Sequence, residues 1–343
     1  MGWLGDLWKP VEKEEAVDML FVPDVAGAPD PTADRFEPNK CYVELYVDSL
    51  RLRNARKFAT RFHGAVYTYV TMAYAGGPKV HVPAISKPDN LAKLDPGGLG
   101  KVIVVNKQMM GAVPWRGGQL LLELGLFSVN DGNLLTPVLD FVAEVSSEAG
   151  VSFIGKVAPF APLITKGMDM LAGQTKDVAL EVGIDTALAL DRPGTHAIIA
   201  VPKAGRIEAS KLSLDKNDRK LLLDGQPLKE AYCVFSLKRS ATKADYGEIP
   251  ELKAKFAGLR EAIRSGVMER ADEALKAFRL EAVSSPDLIR DDALELVKLA
   301  EQMVKDAFGG GPVSRNLESS PGKPVELADM PLYAGRESGV QME

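Results

Sequence analysis

The sequence predicts a mainly β protein with added helices: an antiparallel β-sandwich that carries a helical hairpin insertion and a C-terminal helical appendage. Three observations lead there. Between residues 40 and 240 the chain repeats short runs rich in β-branched and aromatic residues, divided by Gly, Pro, Asn and Asp. Near residue 134 the apolar period changes from two to that of a helix, and from Pro250 onward helical stripes replace strands altogether. With 343 residues, 46% of them hydrophobic, the chain can bury a large core.

Residues 1–39 read as an irregular arm, because "FVPDVAGAPDPTADRFEPNK" is acidic and repeatedly interrupted by proline. At its start "MGWLGDLWKP" has neither the basic start nor the continuous apolar core of a secretory leader, which predicts retention. Trp3 and Trp8 are candidate contacts for a partner or a membrane surface, beside the plainer reading of a terminus tucked against its own body. The sandwich is expected over 40–240. "CYVELYVDSLRL" alternates cleanly, with Cys41, Val43, Leu45 and Val47 on one side and Tyr42, Glu44, Tyr46 and Asp48 on the other. "GAVYTYVTMAYAG", "KVHVPAI", "KVIVVNKQ" and "GGQLLLELGLFSV" continue the pattern.

The insertion is expected at about 134–172, opened by Thr136 as a cap and Pro137 at the first helical position. It contains the most apolar stretch of the chain, "GVSFIGKVAPFAPLITKGMDMLAG", from Gly150 to Gly173. A membrane-spanning helix needs roughly 18 or more consecutive apolar residues. Lys156, Pro159, Pro162, Lys166 and Asp169 interrupt this one, so it is expected to pack over a sheet. Phe160 and Ile164 are the residues that would meet a membrane or a partner if it did not.

Strands resume with "VALEVGIDTALAL", "GTHAIIAVP" and "RKLLLDGQPLKEAYCVFSLKRS", where Asp224-Gly225 suits a tight hairpin turn. Helices follow over 250–308. One carries Leu252, Phe256, Leu259 and Ile263, a middle one Ala271, Leu275 and Phe278, and a last one Ile289, Ala293, Leu296, Ala300 and Met303, with Ser285 as its expected cap. Residues 309–343, rich in Gly, Pro and Ser, read as a mobile tail whose "DMPLYAG" has the look of a short recognised peptide.

The formal net charge of -5 argues against general nucleic-acid binding, which rests on many phosphate-neutralising cations. Two cysteines, Cys41 and Cys233, lie in apolar runs and cannot form a disulfide framework or a zinc site, so a reducing cytoplasm is expected, with peripheral membrane association as the second setting. "DPGGLGK" departs from a phosphate loop at its first glycine and after its lysine, and "DKNDRKLLLDGQ" has Arg219 and Gln226 where an EF-hand needs oxygen ligands. No cofactor, metal or catalytic set is predicted. The strongest local charge is "RLRNARKFATRFHG": Arg51, Arg53, Arg56, Lys57 and Arg61 form a candidate anion- or partner-binding ridge on an otherwise acidic chain.

The order "VELYVDSLRL", "GAVYTYVTMAY", "VPWRGGQLLLELGLFSV" resembles the opening strands of C2 domains. That resemblance implies an eight-stranded antiparallel sandwich that binds membranes or proteins. It carries over the basic surface around Arg51 to Arg61, without calcium, because only Asp48 and Asp131 stand near the corresponding strand ends. The function expected from all this is a non-enzymatic recruitment or assembly module of a multiprotein system, such as one for bacterial defence or stress. Its partner would be another protein or an anionic lipid, and self-association is compatible with the sequence. Two alternatives stand beside it: a membrane-disrupting effector that uses 151–171, and an enzyme whose carboxylate site only the fold would reveal.

Overall fold

The structure is a computed structural model, described over residues 17–25, 33–52, 62–73, 79–86, 102–130, 153–157, 160–172, 178–203, 205–215, 217, 219–309, 318–320 and 323–334. It divides into two units: the first holds residues 1–37 and 43–239, the second residues 38–42 and 240–343.

The first unit is an antiparallel β-sandwich. Its strands are β1 (Val17–Val22), β2 (Tyr42–Arg51), β3 (Phe62–Ala73), β4 (Lys79–Ser86), β5 (Val102–Pro114), β6 (Gln119–Asn130), β7 (Val178–Leu188), β8 (Gly194–Pro202) and β12 (Tyr232–Ser240). A small meander, β9 (Leu212–Leu214), β10 (Leu221–Leu223) and β11 (Gln226–Pro227), precedes the last of these. One sheet runs β1-β8-β12-β2-β5 and the other β4-β3-β6-β7. Alternation places the core. On β6, Leu120, Leu122, Leu124 and Leu126 are fully buried, and β3 sets Met72, Val70, Thr68 and Val66 opposite them in register. On β2, Val43, Leu45 and Val47 are buried as the pattern requires.

β2 also departs from a half-buried strand, because Asp48 and Ser49 on successive faces are both covered. The reason is position: β2 is an inner strand between β12 and β5. The meander seals the outer side of the first sheet. Leu221 and Leu228 pack with Ile199, Val201, Tyr232 and Val234, and the Tyr232 hydroxyl accepts the Leu221 amide at 3.2 Å. Its hairpin turns at Asp224 and Gly225 with φ of 49° and 75°, the left-handed pair that the Asp-Gly sequence predicts.

The arm needs correction. Val17–Val22 is not irregular but an edge strand paired antiparallel with β8 from Val17↔Pro202 to Val22↔Ala197. Farther along, Phe36 is buried edge-on to Trp115, and Arg239 donates to the Arg35 carbonyl at 2.9 Å and to Asp34 at 3.1 Å. Proline punctuates this stretch without preventing short anchored contacts on either side.

Of the insertion, the structure describes α1 (Ile154–Val157) and α2 (Ala161–Ala172). The helix expected from Thr136 lies outside the described residues. Pro162 falls in the first turn of α2, where a missing amide costs nothing. Both helices lie against β4, with Ile154, Ile164 and Met168 buried. Ile164 is therefore core, as expected of a segment packed over a sheet and not the membrane or partner contact of the alternative, whereas Phe160 and Leu163 stay 39% exposed. No helix among the described residues is long and apolar enough to cross a membrane.

The second unit is helical: α3 (Pro250–Arg264), α4 (Met268–Ser284) and α5 (Arg290–Phe308). The predicted stripes supply most of its core, with Leu275 and Met303 only half-buried and Ala282 and Val304 covered in addition. Leu252, Phe256, Leu259 and Ile263 are buried on α3, Ala271, Phe278 and Ala282 on α4, and Ala293, Leu296, Ala300 and Val304 on α5. Phe256 and Phe278 meet with ring centroids 5.8 Å apart, and the α3–α4 turn uses Gly266 at φ 68°. α5 starts at Arg290, later than Ser285 suggested; Ser285 instead ends α4 and accepts the Asp287 amide at 3.3 Å.

A candidate peptide seat on the helical unit

Sequence reasoning made residues 309–343 a mobile tail; the structure corrects this for Val325 to Tyr333, which is bound to the second unit. A self-paired hairpin of β13 (Glu318–Ser320) and β14 (Lys323–Pro324) leads into it, and a 3₁₀ turn spans Leu327–Asp329. Leu327, Met330 and Leu332 point inward and are 0%, 7% and 3% exposed. Burying such side chains stabilises by roughly 2 kcal/mol each, before the cost of ordering the segment.

The seat also reads the backbone. The Tyr246 hydroxyl reaches the Met330 carbonyl in a short hydrogen bond and the Ala328 carbonyl at 3.3 Å. Arg260 donates to the Val325 carbonyl at 2.6 Å and pairs with Glu326 at 3.1 Å. Asp329 accepts the Glu326 amide at 2.7 Å, closing a capping box inside the bound segment. Shape adds a filter. Ala328 lies against Gly247, where a Cβ would come within 2.5 Å of the Ala328 Cα, so only glycine lets the two backbones approach.

At the far end one buried carboxylate holds the site together. Asp292, fully buried in the first turn of α5, accepts from the Tyr42 hydroxyl at 2.6 Å and from the Tyr333 hydroxyl at 2.8 Å on the same oxygen. Each phenol accepts in turn, Tyr42 from the Ile289 amide at 3.3 Å and Tyr333 from the Lys243 amide at 2.8 Å. Burial, then the neighbouring acidic groups, pushes both phenols well above the usual tyrosine range, so both remain donors at neutral pH. The helix start favours the negative charge they surround. The Tyr333 ring stands edge-on to Tyr246 at 5.8 Å. None of these residues carried a site signal in the sequence except "DMPLYAG", whose apolar and aromatic residues interrupt a polar tail.

The other candidates come out separately. Arg51 donates to the Lys229 carbonyl at 3.3 Å at the end of β2, while Arg53, Arg56, Lys57 and Arg61 lie outside the described residues, as do Trp3, Trp8 and Asp131. Asp48, 3% exposed, accepts the Ser236 hydroxyl and pairs with Arg219 at 3.2 Å; Ser49 holds the Arg219 carbonyl at 2.7 Å. That cluster ties the meander to the sheet. Cys41 and Cys233 are buried thiols outside any disulfide, and burial together with Asp48 drives the Cys233 thiol far above its usual range, which removes it as a nucleophile. His196 packs against Phe21 and Phe235, accepts the Asp24 amide at 3.3 Å, and is held neutral by burial against the opposing pull of Asp24. Among the described residues no cluster of His, Cys, Asp and Glu could hold a metal ion.

One acid of the sandwich has no such settlement. Glu123 on β6 stands in register between Tyr69 on β3 and Asp185 on β7, and its buried Oε2 lacks a hydrogen-bond partner. Burial first, then Asp185, raises its carboxyl above the ordinary range. A raised folded-state value means the native protein binds the extra proton, so the stability charged to Glu123 falls as pH rises through that value and the deficit persists above it. Glu123→Gln should therefore stabilise the protein at pH 7 by about 1 kcal/mol, discounted because the side chain is only half-buried. Below the ordinary glutamate range the gain should vanish. Urea unfolding at pH 4 and pH 7 checks this; an equal gain at both would contradict the assignment.

Fold and site together define an antiparallel β-sandwich followed by a three-helix unit on which the chain's own segment Val325–Tyr333 packs. No family model matches the chain, no curated protein matches its sequence, and no solved structure matches its fold. The resemblance to C2 domains gains no support from these comparisons, and the sandwich stands on its own strand order.

Proposed function

We propose that the protein is a non-enzymatic recruitment module whose helical unit recognises a short acidic and apolar peptide. The observation that carries this reading is the bound segment Val325–Tyr333. The reading is supported by the burial of Leu327, Met330 and Leu332, hydrogen bonds to three backbone carbonyls, an ion pair to Glu326, and a glycine that permits the close backbone approach. Exposed Leu280, Val283 and Leu294, near the α4–α5 connection, give the same unit further apolar surface for a protein partner. The basic run from Arg51 to Arg61 would supply a second, electrostatic contact on the sandwich, to an acidic protein or an anionic lipid.

The test uses a labelled synthetic peptide of residues 323–334 and three forms of the full chain. In Met330→Asp/Leu332→Asp the attached tail is disabled and the seat is open, so saturable binding is expected by fluorescence anisotropy. The wild type should bind about 100-fold more weakly, because its own tail competes at an effective concentration on the order of millimolar. Gly247→Ala should not bind. Equal, non-saturating signals from all three forms would defeat the proposal.

A further inference from the structure

We infer that the far end of the seat is a tyrosine-reading subsite, which accepts the free phenol of Tyr333 and rejects both a phenyl ring and a phosphorylated phenol at that position. The inference rests on the peptide-recognition reading and names the side chain that decides it. Leu327, Met330 and Leu332 are covered apolar groups, a requirement that other apolar residues of similar volume also meet. Tyr333 differs, because its hydroxyl is matched in both directions. It donates to Asp292 at 2.8 Å and accepts the Lys243 amide at 2.8 Å, while its ring stands edge-on to Tyr246 at an interplanar angle of 88°.

The groups that meet the phenol are held in place by other parts of the second unit. Lys243 and Tyr246 belong to one turn, closed by the Tyr246 amide on the Lys243 carbonyl at 3.2 Å, so a single loop offers both the amide and the ring. Asp292 is fully buried in the first turn of α5, where the Tyr42 hydroxyl, itself held by the Ile289 amide, orients it at 2.6 Å. On the other side, the Ala334 amide closes a turn on the Pro331 carbonyl at 3.1 Å, and Tyr333 projects from that turn. A phenylalanine keeps the edge-on ring contact but leaves the carboxylate one donor short and the Lys243 amide without this acceptor. A site built around a hydroxyl discriminates in this way against the analogue that lacks it. A phosphate ester also loses the donated hydrogen, and it brings about two negative charges to a buried carboxylate.

Three synthetic peptides of residues 323–334 test this on the full chain in its Met330→Asp/Leu332→Asp form: unmodified, with Tyr333→Phe, and phosphorylated at Tyr333. By fluorescence anisotropy the phenylalanine peptide should bind about 30-fold more weakly than the unmodified one, and the phosphopeptide should not bind. For the attached segment, Tyr333→Phe in the otherwise wild-type chain should speed hydrogen exchange over 327–333 by a similar factor and leave β3 and β6 unchanged. Adding Asp292→Ala to the open form should remove most of the preference for tyrosine, which separates reading of the hydroxyl from better packing of the ring; the three peptides decide the matter even where that variant does not fold. Equal binding of the unmodified and phenylalanine peptides, or a phosphopeptide that binds as tightly as the unmodified one, overturns the subsite and leaves peptide recognition standing. If no peptide binds but the exchange effect appears, peptide recognition fails and the subsite holds for the attached segment alone. Absence of both effects overturns both.

Discussion

Asp292→Ala is expected to destabilise the helical unit by about 3 kcal/mol, since it removes an acceptor shared by the buried Tyr42 phenol and the half-buried Tyr333 phenol. The loss should concentrate where the network sits. Hydrogen exchange should accelerate over the first turns of α5 and over 325–333, while β3 and β6 keep their protection. Adding Tyr42→Phe and Tyr333→Phe to the alanine variant should recover part of the stability, because apolar rings leave no hydroxyl wanting a partner. No recovery would mean that Asp292 acts through something other than these two bonds.

Arg219→Ala is expected to cost about 3 kcal/mol in the sandwich, more than the roughly 1 kcal/mol expected for Asp48→Asn. The asymmetry follows from burial. Asp48 is 3% exposed and Arg219 35%, so deleting the arginine leaves a buried carboxylate without its cation, whereas neutralising the acid leaves an arginine that can turn toward water. Arg219 also sits at φ 56°, a left-handed position that alanine tolerates no better. Urea unfolding of both variants decides: the order of the two costs matters, and a larger loss for Asp48→Asn would refute the account. By the C2 resemblance Asp48 was one of only two acids near the strand ends, too few for calcium. It is a clamp between β2, β12 and the meander, because β2 is an inner strand covered on both sides.

Signals carried by neighbouring residues were legible in advance. Val43, Leu45 and Val47 alternate because a strand turns successive side chains to opposite faces, and Leu252, Phe256, Leu259 and Ile263 recur at one-turn spacing because a helix lines them up. Asp224-Gly225 announced its turn by the same local logic. Signals that exist only in pairs distant along the chain were not legible. Val17–Val22 became a strand because β8 offers it an edge, and Val325–Tyr333 became ordered because Tyr246, Arg260 and Asp292 receive it. Glu123 reads as one more solvent-facing acid until register sets Tyr69 on one side of it and Asp185 on the other.

By itself the sequence determined the β-rich body and most of the three apolar helical stripes, since periodicity and composition are properties of the chain alone. Only the tertiary structure decided that Ile164 is core, that Asp48 and Asp292 are buried acceptors, and that Val325–Tyr333 packs on the helical unit. The reason is that burial and hydrogen-bond satisfaction are relations between segments, and no residue carries them until its partners arrive.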